Sequence, residues 1–102
     1  MSKESRFEQL SDNMVNAASI MKALSSETRL KLMCCLIDGE KSVNVLAEAI
    51  GMRMPAVSQH LSKMRSAGLV TSRREAQTIY YAASDGIGHA IVGTLCHYYK
   101  PD

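Results

Sequence analysis

Two short apolar periodicities lie back to back between Ser42 and Gly68, with Gly51 between them. In the first, Val43, Leu46, Ala47 and Ile50 follow the i, i+3, i+4, i+7 rule of an amphipathic helix, capped by Ser42 and stopped by Gly51. In the second, Val57, Leu61 and Met64 share one side of a helical wheel, while Pro55, Gln59, Ser62 and Ser66 take the other. Gly68 supplies a left-handed stop. Two helices joined by a tight Gly-containing turn, the second with a small polar outer face, make the pattern of a helix-turn-helix. An ordinary helical hairpin shares that pattern, so charge decides between them. From Gly51 to Arg74 the chain carries Arg53, Lys63, Arg65, Arg73 and Arg74 and no acid. The whole chain has a net charge of +2, and its other seven basic and ten acidic residues sum to −3. Positive charge concentrated around one exposed helix suits an anionic polymer, here double-stranded DNA.

The segment after Gly68, Leu69 to Tyr81, reads strand, turn, strand, with a β-favouring Thr78–Tyr81 run and Arg73-Arg74 where the hairpin turns. A hairpin after a helix-turn-helix is a wing, whose basic residues reach backbone phosphates or a minor groove. Residues 5–24 place Phe7, Leu10, Met14, Ala17, Met21 and Leu24 on one helical seam, long enough that part of it suits a partner subunit. A second helix, Glu27 to Ile37, is opened by Ser25-Ser26 and closed by Asp38-Gly39, with Leu30, Met33, Cys34 and Ile37 as its inward face. The last helix, capped by Ser84-Asp85, carries Ile87, Ile91, Val92, Leu95 and Tyr98, and its glycines call for close packing against another helix. The expected fold is mainly α with a small β-hairpin: four helices, two strands and a fifth helix. It forms one winged helix-turn-helix domain over 1–102, with the helix-turn-helix at about 42–68 and the wing at about 69–82.

Composition narrows the setting. With 102 residues, one Phe, no Trp and seven Met, the core is small, aliphatic and thioether-rich, and gains from further burial in an oligomer. No apolar run approaches the ~20 residues that span a bilayer, and the N-terminus lacks a signal peptide's hydrophobic centre, so a cytoplasmic protein with no membrane partner is expected. Cys34, Cys35 and Cys96 are too few and too irregular for a disulfide scaffold and read as free thiols. An enzyme is not expected. Cys96 and His97 diverge by ~100° on a helix and no third group orients a base, so neither a catalytic site nor a cofactor is read from the chain.

The order of elements, with Glu-Thr-Arg-Leu-Lys-Leu, Val-Ser-Gln-His-Leu-Ser-Lys-Met-Arg, Gly-Leu-Val and Arg-Arg-Glu-Ala-Gln-Thr-Ile-Tyr-Tyr, resembles the ArsR/SmtB family of bacterial winged-helix repressors. Within it, the likeness is greatest to the branch of the nodulation repressor NolR, the haemolysin regulator HlyU and the persulfide-responsive BigR-like sensors. The resemblance implies a homodimer joined through the first and last helices, about 5–24 and 84–99, with Leu10, Met14, Ile91 and Leu95 at the interface, bound to a palindromic operator. It also implies that Ser58, Gln59 and His60 lie in the major groove, with Ser62 and Lys63 close by. Gln59 is the best candidate for a base-edge contact, since its amide can pair bidentately with adenine at ~1–3 kcal/mol of discrimination. Arg53, Lys63, Arg65, Arg73 and Arg74 supply basic contacts, mainly to phosphates. The chain departs from the family pattern at Arg53-Met54-Pro55, where small polar residues are usual, so its operator is expected to differ.

Three kinds of switch follow from the resemblance. The family's thiol pair on the third helix is absent from Val43–Ala47, and its zinc set on the last helix is broken, with Ile87 following Asp85 and Lys100 following His97. No family metal site is therefore expected; a different one is conceivable on the stripe of Asp85, His89 and Cys96. Cys34 matches the reactive cysteine of the persulfide sensors, which implies redox sensing with a reactive sulfur species as effector. The partner position there is held by Lys100, and Cys96 lies one turn earlier, ~6 Å along the axis. That shift counts against a direct Cys34–Cys96 disulfide, which needs Cα atoms within about 7 Å, and less against a polysulfide link; Cys35 is an alternative partner. The third kind has no small inducer, control resting on expression level or competition for DNA.

Overall fold

The computed structural model describes residues 5–101; of the expected range 1–102, residues 1–4 and 102 lie outside them. The elements run α1 (Arg6–Ser11), α2 (Met14–Leu24), α3 (Glu27–Ile37), β1 (Lys41–Ser42), α4 (Val43–Ile50), α5 (Met54–Ser66), β2 (Val70–Glu75), β3 (Thr78–Ala83) and α6 (Ile87–Tyr98). The helix-turn-helix is α4 and α5. Ser42 caps α4 through its Oγ, which accepts from the Val45 N–H at 3.2 Å, and Gly51 ends it in the left-handed region at φ 69°. Val57, Leu61 and Met64 are wholly buried on the inner face of α5, where each contributes ~1.5–3 kcal/mol relative to an exposed position. They pack in one core with Leu32, Met33 and Leu36 of α3, Leu46 of α4, and Leu69, Val70 and Val92.

Five expectations are corrected. The long first helix is two helices, because Ser11, Asp12 and Asn13 are poor helix formers whose short polar side chains compete with the backbone; Asn13 N–H turns back to the Leu10 carbonyl at 2.8 Å. The hairpin is the larger part of a three-stranded antiparallel sheet, ordered β1-β3-β2, since Lys41 and Ser42 pair with Tyr81 and Tyr80. The wing turns at Ala76-Gln77, not at Arg73-Arg74: Glu75 pairs with Thr78, which puts Arg74 opposite Ile79 and Arg73 opposite Tyr80. Ser84-Asp85 do not cap the last helix. Ser84 N–H is held by the Leu69 carbonyl at 2.9 Å, and the chain then turns at Asp85-Gly86, with Gly86, at φ 144°, the residue that precedes α6. The inward face of α3 is Leu32, Met33 and Leu36; Leu30 and Ile37 are half-buried and Cys34 is exposed. The expected close packing of the last helix is present at Gly88, which is buried beside Leu69 and Met33.

Candidate nucleic-acid interface

The outer face of α5 follows from its anchored inner one. With Val57, Leu61 and Met64 turned inward, Ser58, Gln59, Ser62, Lys63 and Arg65 are exposed on the other side. Arg53, exposed, is the residue preceding the helix, and Pro55 sits in its first turn, where a missing N–H leaves no helical bond unmade. Met54 is exposed as well, and lines a groove with Asn44 of α4, Ser58 of α5 and Gln77 and Thr78 of the wing. Asn44, Gln77 and Thr78 lie beside the expected residue Ser58 and beside Met54 without having been singled out from the sequence. Asn44 comes beside α5 through the packing of α4 on α5, and Gln77 and Thr78 through the way the wing folds back, which no local pattern encodes.

Three of the expected contact residues already have partners. His60 is half-buried, and its Nδ1 accepts from Arg29 Nε at 3.4 Å. Arg65 Nη1 donates to Ser72 Oγ at 3.0 Å, tying α5 to β2. Arg73 is the most engaged: Nε and Nη2 meet the two carboxylate oxygens of Glu40 at 2.8 and 2.7 Å, Nη1 meets Glu75 at 2.8 Å, and the guanidinium lies 4.6 Å from the Tyr80 ring centroid. The hydrogen bonds and charge of Arg73 hold the Glu40 carboxyl below its ordinary value of 4.5, and the two carboxylates raise Arg73 further above an already basic range. Arg53, Lys63 and Arg74 form no ion pair with another described residue. Their charge is available to a polyanion.

The thiols lie away from this face. Cys34 of α3 and Cys96 of α6 line one groove with Leu30, Val92, Leu95 and Tyr99. The one-turn displacement of Cys96 therefore does not carry it away from Cys34. Partial burial, then the Cys96 thiol beside it and then Cys35, push the Cys34 thiol above its ordinary value of 9.0. The stripe considered for a metal does not form, because Asp85 precedes α6 and cannot share a helical face with His89 and Cys96. Among the described residues no three His, Cys, Asp or Glu side chains assemble in a way that could hold a metal ion. Leu10, Met14 and Leu95 are exposed and Ile91 is half-buried, all on the outer helices, beside the exposed Phe7, Val15 and Ile87. No helix among the described residues is long and apolar enough to cross a membrane.

Comparison with known proteins agrees with this geometry. The sequence profile of the arsR family of bacterial regulatory proteins matches residues 26–72, from the cap of α3 into β2. The chain is 41% identical over 86 residues to the nodulation protein NolR of Rhizobium meliloti, covering 84% of this chain and 70% of that one. Its fold matches the transcriptional repressor BigR of Xylella fastidiosa with a TM-score of 0.86 and 31% identity, over 97% of this chain and 100% of that one. It also matches the homodimeric winged helix-turn-helix DNA-binding domain of a possible ArsR-family regulator from Mycobacterium bovis, with a TM-score of 0.74 and 26% identity over the whole of both chains. The chain belongs to the ArsR family and is a DNA-binding transcriptional regulator, non-enzymatic, with a winged helix-turn-helix fold.

Proposed function

We propose that this protein is a cytoplasmic repressor that binds a palindromic promoter operator as a homodimer, each protomer forming a single winged helix-turn-helix domain. The observation that carries the reading is the acid-free outer face of α5, exposed at Ser58, Gln59, Ser62, Lys63 and Arg65 above a wholly buried inner seam. Ser58, Gln59 and His60 enter the major groove, with Gln59 reading a base edge and Ser62 beside it. Arg53, Lys63, Arg65 and Arg74 neutralise phosphates. The exposed apolar residues of α1, α2 and α6, Leu10, Met14 and Leu95 among them, with half-buried Ile91, support dimerisation by offering surface that a lone protomer leaves to water. Two-fold symmetry then presents two copies of α5 about one duplex turn apart, which matches a palindrome.

The shared groove of Cys34 and Cys96 favours release by thiol chemistry. An organic polysulfide would accept two electrons at its sulfur–sulfur bond and join the two Sγ atoms, directly or through inserted sulfur, while the thiol protons leave on the released thiols. Both readings are tested by retardation of the promoter fragment over a salt series, with the protein treated with dithiothreitol, organic polysulfide or zinc. Steep salt dependence and release by polysulfide alone, abolished in Cys34→Ser and Cys96→Ser, are expected. No duplex binding in any state sinks the repressor reading. Binding indifferent to every treatment leaves a regulator without a small inducer.

A further inference from the structure

The side chain of Arg73 spans all three strands of the sheet. It starts on β2, passes over the ring of Tyr80, its partner on β3, and meets Glu40 one residue before β1. Because β1 is itself paired to β3, at Ser42 opposite Tyr80, this contact closes the sheet from one edge to the other. Ser42 also caps α4, so Glu40 stands two residues ahead of the helix-turn-helix. Three of the five guanidinium donors are committed to carboxylate oxygens at 2.7–2.8 Å, two of them in a fork.

The charges decide what such an arginine can do. One guanidinium between two carboxylates leaves a local charge of −1, which repels a phosphate instead of attracting it. For Arg73 to reach a phosphate it would have to release a bidentate partner and leave Glu40 and Glu75 unpaired beside the duplex. Arg74, next along the strand, has no such partners among the described residues.

We propose that Arg73 is a positioning residue and not a phosphate contact: with Glu40 and Glu75 it clamps the wing to the start of the helix-turn-helix and so sets where Arg74 meets the duplex. This rests on the reading that the wing lies against DNA. It makes a prediction opposite in sign to simple electrostatics. Removing the Glu40 carboxylate from a DNA-facing surface ought to tighten binding if charge alone mattered; loss of the clamp weakens it.

The test is retardation of one operator fragment over a salt series by wild type, Glu40→Ala, Arg73→Lys and Arg74→Ala, with amide hydrogen exchange of the free proteins alongside. Glu40→Ala and Arg73→Lys should each bind about three- to fivefold more weakly, and for Arg73→Lys the slope of log affinity against log salt should be unchanged, because a lysine keeps the charge but not the fork. Arg74→Ala should make the slope shallower by about one. Without DNA, Glu40→Ala should speed exchange in β2 and β3. The clamp is overturned by a Glu40→Ala protein that binds as tightly as wild type or more tightly, by an Arg73→Lys protein that matches wild type, or by unchanged protection of the wing. A wild type that fails to retard the duplex overturns the DNA reading instead, and the exchange experiment still decides the clamp.

Discussion

Arg29, on α3, holds His60, on α5, through an Nε to Nδ1 hydrogen bond of 3.4 Å. Arg29 also donates from Nη1 to the Ala23 carbonyl at 3.5 Å, so one side chain joins the end of α2 to the centre of α5. Arg29→Ala should cost about 1 kcal/mol in urea denaturation with an unchanged m value, and should weaken operator binding. Full stability together with full affinity would show that the bond does nothing.

The tip of the wing carries a conformational mismatch. Ala76 has φ 55°, a left-handed conformation that its Cβ disfavours and a glycine adopts freely. Ala76→Gly should raise stability by about 0.5 kcal/mol, the relief of backbone strain outweighing the extra freedom gained by the unfolded chain. A lowered urea midpoint would contradict this.

Gly88 is a tight point between α6 and Leu69, in the segment that joins α5 to β2. A Cβ there would collide with the Leu69 side chain, which is itself buried in the core and would have to shift within it. Gly88→Ala should destabilise the protein by ~1–3 kcal/mol through overpacking, despite the better helix propensity of alanine. An increase in the urea midpoint would mean that Leu69 can move aside.

Cys34 should behave as an exposed but protonated thiol, not an activated one. Its raised value keeps it protonated through neutral pH, so its alkylation rate, followed by mass spectrometry, should climb about tenfold per pH unit from neutral pH to beyond 9.0. Cys96→Ser removes the neighbouring thiol and should move the midpoint down toward the ordinary value. A midpoint below 9.0 in the wild type would contradict the assigned environment.

What could be read directly from the chain were features whose causes are local. Val57, Leu61 and Met64 are spaced by the helix itself, Ser42 and Gly51 cap α4 by their own chemistry, and the outward face of α5 follows as the complement of its buried one. Glu40 was invisible as a partner of Arg73 because the two lie 33 residues apart, and a window ending at Arg74 contains neither Glu40 nor Glu75. The apparent purity of the basic patch is thus partly a matter of where the window stops. The short β1 leaves no mark in the sequence because two residues have no periodicity, and its pairing partners arrive only with β3. An inward Cys34 is what the sequence suggests because α3 has apolar residues on more than one face. Leu30 and Cys34 turn to the groove beneath α6, and only packing shows which side is core.

Operator binding by Gln59→Ala and Lys63→Ala, against a set of fragments each altered at one base pair, tests the assignment of roles on α5 most directly. Gln59→Ala should lose discrimination at one base pair in each half-site, a change of ~1–3 kcal/mol confined to that position. Lys63→Ala should weaken every fragment alike and make the salt slope shallower by about one. If Gln59→Ala weakens all fragments uniformly while Lys63→Ala changes the preferred base, the exposed face of α5 does not read DNA in the way described.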